Sequence, residues 1–90
     1  MQKTMISVVG IDMVGIIAAV CTYLSENKVN ILDISQTIVD GYFNMMMVVD
    51  TSGSDKNITE LQQGLNLVGE KMGVMIHAQR EEIFQQMHRI

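Results

Sequence analysis

Apolar residues run from Met5 to Val9 and stop at Gly10. Ile6 and Val8 alternate there with Met5, Ser7 and Val9, so both faces of an extended segment are largely apolar, which predicts a central strand over residues 4–9. Beyond Gly15 the spacing becomes helical, with Ile16, Val20 and Leu24 on one side and Ile17 and Cys21 beside them. A period that changes from two to 3.6 within a few residues marks a strand–loop–helix junction. The spacing predicts a helix over 14–26 with Asp12 as its N-cap and Asn27-Lys28 at its end. Residues 29–39 alternate, Leu32, Ile34 and Ile38 against Asp33, Ser35 and Thr37, and predict a second strand with one buried face. Asp40-Gly41 is a strong hairpin signal, and it leads into a third strand over 42–50, apolar on both faces through Met45-Met46-Met47-Val48-Val49.

Residues 51–57 are rich in turn formers, and Asn57 with Glu60 resembles a capping box. Ile58, Leu61, Leu65, Val68 and Met72 follow at steps of three and four, the most regular helical stripe in the chain. Gly64 and Gly69 weaken that helix unless they permit close packing on the sheet, and Gly73 suits its C-terminal end. A fourth strand is expected over 74–79 and a short helix over 80–90, with Ile83, Phe84, Met87 and Ile90 as its apolar side. The fold class is therefore α+β: a ferredoxin-like βαββαβ sandwich, a four-stranded antiparallel sheet with two helices on one face, and a short C-terminal helix. The face left bare by the helices still carries apolar residues, which predicts an interface with a second copy or with the C-terminal helix.

The 90 residues read as one domain with little stability to spare, and 48% hydrophobic content adds to the expectation of a second buried surface. A net charge of −4 with scattered Lys and Arg argues against nucleic acid as a partner. The apolar runs are too short to cross a membrane and no leader is visible, so a cytoplasmic location is the expectation. Cys21, the single cysteine, permits no internal disulfide and reads as a buried thiol.

Catalytic chemistry is hard to place. The serines lack a histidine and an acid at recognisable spacing, and His77 and His88 fall on different elements. Gly10 and Gly15 lack the Lys-Ser or Lys-Thr of a phosphate-binding loop and the spacing of a dinucleotide fingerprint. The loop also lacks the arginine of a small acyl-phosphate hydrolase and the Cys-x-x-Cys of a copper chaperone. No enzyme, cofactor or metal is expected. What remains is the junction itself: two glycines let backbone approach a ligand, and helix-start amides attract a carboxylate.

Three segments carry a resemblance: Val8-Val9-Gly10-Ile11-Asp12-Met13-Val14-Gly15-Ile16-Ile17, Val29-Asn30-Ile31-Leu32-Asp33-Ile34-Ser35-Gln36, and Asp40-Gly41-Tyr42-Phe43. Together they resemble an ACT domain, nearest to the small stand-alone ACT proteins of an uncharacterised bacterial and archaeal group. The resemblance spans nearly all of residues 1–90, read as a single ACT-like domain. It implies a homodimer, or a larger assembly, that binds an amino acid or similar effector between two domains and acts on a partner enzyme or regulator. The loop around Gly15 would approach the ligand, and Asn30, at the opening of the second strand, would contribute from the neighbouring domain. Many members carry proline before that glycine, where Val14 stands here. The candidate ligand residues are Gly10, Ile11, Asp12, Met13, Val14, Gly15 and Ile16 for the carboxylate, with Asn30, Ile31 and Asp33 at the second strand; Asn30 with Asp12 or Asp33 would hold the amino group. The alternative is a protein-interaction module without a small ligand.

Overall fold

The structure is a computed structural model, and it describes residues 1–11 and 13–82. The elements run β1 (Lys3–Ile11), α1 (Ile16–Glu26), β2 (Asn30–Val39), β3 (Tyr42–Asp50), α2 (Ile58–Met72) and β4 (Val74–Arg80). All strand pairs are antiparallel and the order is β2-β3-β1-β4. This is the ferredoxin-like arrangement expected from the pattern.

Alternation on the inner strands builds the core. Ile6 and Val8 of β1, Phe43, Met45, Met47 and Val49 of β3, and Val74 and Ile76 of β4 are buried on one face. Ile16, Val20 and Leu24 of α1 and Leu61 and Leu65 of α2 close that face in a single cluster. Each such side chain contributes roughly 1.5–3 kcal/mol on burial. The methionine triplet splits by parity: Met45 and Met47 enter the core, and Met46 lies half-buried on the bare face beside Val48 and Met5.

Local chemistry explains the joints. Asp40 and Gly41 both take positive φ, 53° and 81°, as the two central residues of a type I′ hairpin require. Asn57 accepts from the Glu60 amide at 2.9 Å, and the Glu60 carboxylate accepts from the Asn57 amide at 3.0 Å, a complete capping box. Gly73 ends α2 at φ 71°. The two helix glycines make room for different neighbours. An added Cβ at Gly69 would lie 2.6 Å from the Val74 carbonyl oxygen of β4, whereas one at Gly64 would overlap the Tyr23 hydroxyl of α1. Gly64 therefore serves helix–helix contact and not the sheet. Tyr23 is held there by donating to the Leu61 carbonyl at 3.3 Å.

Several expectations shift. α1 begins at Ile16 and not at residue 14, and its N-cap is Gly15 with no side-chain cap bond; Asp12, expected as the cap, lies outside the described residues. Gly15 has φ 95°, so the backbone is not yet helical there. β4 runs to Arg80, which pairs with Thr4, so the expected third helix does not open at Arg80. Glu81 and Glu82 are helical, and the rest of that expected helix, 83–90, lies outside the described residues.

The largest departure is β2. Its register against β3 shifts between Ile31 and Asp33, so Leu32 is an extra residue, a β-bulge. Of its ten residues only Ile31 is even half-buried. The expected buried face fails because β2 is an edge strand that α1 barely reaches.

Gly69→Ala should lower stability by about 1 kcal/mol or more, the clash with Val74 outweighing the better helix propensity. Thermal unfolding checks this. A variant more stable than the parent would show that α2 does not rest on β4 in solution.

Candidate functional site

The strand–loop–helix junction sits at one end of the sheet. Gly10 lies between Phe43 of β3 and Val74 of β4. An added Cβ there would meet the Val74 Cγ1 at 2.7 Å and its Cα at 2.9 Å. The missing side chain at Gly10 is thus taken up by β4, which leaves the approach to a ligand to the residues after it. Ile11 is 68% exposed opposite Tyr42, and Met13 and Val14 stand out into solvent, Val14 at 97%. A Cβ built at Gly15 would meet Met72 Cε in ordinary van der Waals contact, at 3.7 Å. The Gly15 carbonyl accepts the Ala19 amide at 2.9 Å, the first bond of α1. The amides of Ile16, Ile17 and Ala18 precede that bond and point back towards the loop, as helix-start donors do. Ile16 itself is 1% exposed, so it can offer a ligand its amide but not its side chain.

The second group of expected residues lies elsewhere. Asn30 pairs with Asp50, which pairs with Lys3, so it stands at the start of β1, while the junction stands at its finish. The length of β3 separates them, about 25 Å at the usual rise per residue. Ile31 is half-buried against Val49, and Asp33 is exposed with its Oδ1 accepting the Ile34 amide at 2.9 Å. Asp50, beside Asn30, is engaged locally. Donation from the Ser52 amide and hydroxyl and from the Gln2 amide holds its carboxyl below the usual range. One protomer therefore does not bring the two halves of the candidate site together.

What periodicity alone misses is the apolar surround of the junction. Ile17, Ile38, Val39 and Tyr42 are all exposed at the same end of the molecule. The signal of Ile38 is present in the alternation of β2, but it reads as core when the strand is assumed to be covered.

The other reactive groups remain dispersed. The Ser7 hydroxyl donates to the His77 backbone carbonyl at 3.5 Å, not to the imidazole. Cys21 is half-buried, and burial pushes its thiol up, away from the reactive thiolate. Among the described residues no three of His, Cys, Asp and Glu gather as a metal centre would need, and no helix is long and apolar enough to cross a membrane.

The fold is a small ferredoxin-like domain with an exposed strand–loop–helix junction at one end of its sheet. The family model of the ACT domain matches residues 2–79, and the chain belongs to the ACT domain family. ACT domains are in general regulatory modules that bind small ligands. A protein of the UPF0237 group from Bifidobacterium longum is 60% identical over 90 residues, spanning 100% of both chains. An ACT domain protein from Streptococcus pneumoniae superposes with a TM-score of 0.82 at 40% identity, covering 93% of this chain and 94% of that one. A putative glycine cleavage system transcriptional repressor shares the fold with a TM-score of 0.75 at 29% identity, covering 88% of this chain and 45% of that one.

Because Gly15 has φ 95°, side chains there strain the backbone whatever room surrounds them. Gly15→Ala should cost about 1–2 kcal/mol, Gly15→Asn less and Gly15→Val more. Chemical denaturation of the three variants measures the order. Equal stabilities would mean that Gly15 leaves the left-handed region in solution.

Proposed function

We propose that this chain, residues 1–90 acting as a single ACT domain, is a non-catalytic regulatory module that binds an amino acid as a homodimer. The observation that carries the reading is the placing of Asn30 and the Gly10–Ile16 junction at opposite ends of the uncovered edge strand β2. Antiparallel pairing of β2 with its copy about a two-fold axis reverses one strand against the other. Asn30 of one copy then lies beside the junction of its partner, and two equivalent sites form per dimer. In each, backbone amides of the junction hold the ligand carboxylate, and Asn30 with Asp12 or Asp33 holds the amino group. The exposed Ile11, Val14, Ile38 and Val39 supply apolar area at the same contact. The likeness to a protein named as a glycine cleavage system repressor supports an amino acid as the effector class. The output passes to a partner enzyme or regulator in the cytoplasm.

A second reading keeps the dimer and replaces the ligand by a protein. It is favoured by the bare sheet face, where Met5, Val9, Met46, Val48 and Met75 form an apolar surface.

Sedimentation at micromolar concentration should give twice the 10.1 kDa chain mass. A species of the single-chain mass alone would defeat the dimer.

A thermal-shift screen against amino acids separates the two readings. A ligand at about a hundred times its Kd adds roughly 2.7 kcal/mol, a rise on the order of 10 °C for a domain of this size. Asn30→Ala should lower the affinity for that ligand about tenfold with the melting temperature of the free protein unchanged, since Asn30 is exposed and the loss is that of a hydrogen bond to a charged group. Parent-like affinity in the folded variant, measured by calorimetry, would move the site elsewhere and favour the protein-interaction reading.

A further inference from the structure

The two edges of the sheet are treated differently. Among the described residues β2 ends the sheet with no strand beyond it. β4 also ends the sheet, but α2 packs against it and Gln62 engages two of its outward backbone groups. The Gln62 Nε2 donates to the Ile76 carbonyl at 2.7 Å, and its Oε1 accepts the Ala78 amide at 2.7 Å. These are the two bonds that a residue of a parallel neighbouring strand would make, one through its N–H and one through its C=O, and they occupy outward groups that an antiparallel neighbour would also need. The chemistry fixes the amide's orientation, because Ala78 can only donate and Ile76 can only accept. Nε2 also donates to Asn66 Oδ1 at 2.8 Å, one turn further along α2, which holds the amide plane. Nearer the start of β4, the bare Cα of Gly69 lets α2 settle on the Val74 carbonyl.

We propose that the Gln62 side chain stands in for a fifth strand and shuts the β4 edge to a second copy of this chain. A second copy is the occupant to exclude, since an identical antiparallel edge is self-complementary about a two-fold axis. Were both edges open, pairing through β2 at one side and β4 at the other would extend without closing and give a growing sheet. With Gln62 in place, association ends at β2. That last step rests on the dimer proposed above; the shielding of β4 does not.

The test is Gln62→Ala, followed by sedimentation over a concentration series and by hydrogen exchange at the Ala78 amide. Gln62→Met, which keeps the side-chain length and removes both hydrogen bonds, carries the same expectation should the alanine variant lose its fold. The Ala78 amide should exchange roughly five- to tenfold faster at low concentration. The average mass should climb with concentration beyond that of the parent. Adding Ala78→Pro, which removes the outward donor on an edge strand where proline is tolerated, should return the mass to the parent's value. A folded variant with a fast Ala78 amide and the parent's mass throughout would overturn the proposal, as would an Ala78 amide that stays protected. A parent that sediments as a single chain would remove the β2 dimer alone, and pairing of the Gln62 variant would still support the shielding of β4.

Discussion

β1 is hydrogen-bonded along both of its sides, to β3 and to β4, and at Gly10 the chain of β4 comes too close to leave room for a side chain. Val74 Cα would stand only 2.9 Å from a Cβ of residue 10, so β4 can begin beside β1 only because residue 10 is glycine. Much else follows from this contact. β4 starts immediately after Gly73 turns the chain out of α2, so the position of α2 over the sheet is tied to the same spot. β1 carries on for one more residue, Ile11, and then releases the chain into the junction that leads to α1. The packing that fixes the sheet thereby also fixes where the candidate ligand loop emerges.

The parts of the fold that are legible in the sequence are those governed by neighbours within four residues. Asp40-Gly41 specifies its turn by positive φ, and Asn57 with Glu60 specifies a helix start by two reciprocal hydrogen bonds. The core stripes of α1 and α2 follow from periodicity alone. What is not legible depends on distant partners. Nothing local to Gly64 says that a tyrosine hydroxyl from α1 will fill its missing side chain, and nothing local to Gln62 says that its amide will find Ile76 and Ala78. The alternation of β2 reads as a half-buried strand, because a pattern records which residues are apolar and not whether a helix covers them.

The candidate site shows the same division. The junction can be located from its glycines and its change of period, but its two glycines do different work: Gly10 yields to β4, and Gly15 permits a left-handed turn into α1. The position of Asn30 far from that junction is a property of the topology, and it turns a question about a binding pocket into one about assembly. A domain whose complementary halves lie on opposite ends of one edge gains a ligand site only by associating. In the dimer proposed above, effector binding and dimerisation would be linked equilibria, each strengthening the other.

The bulge at Leu32 decides which way the side chains at the start of β2 face. Side chains on a strand alternate, so residues three apart ordinarily lie on opposite faces. Asn30 aligns with Asp50 and Asp33 with Val48, and both partners belong to the bare face of the sheet. The extra residue has therefore reset the parity, and two polar side chains of odd separation share one face. The identity of the residue at 32 matters little to this, since its only task is to be counted. Deleting it would leave Asn30 opposite Asp50 and Ile31 opposite Val49 in an unbroken ladder, with both side chains on the faces they have now, so the strand would lose its bulge and nothing else.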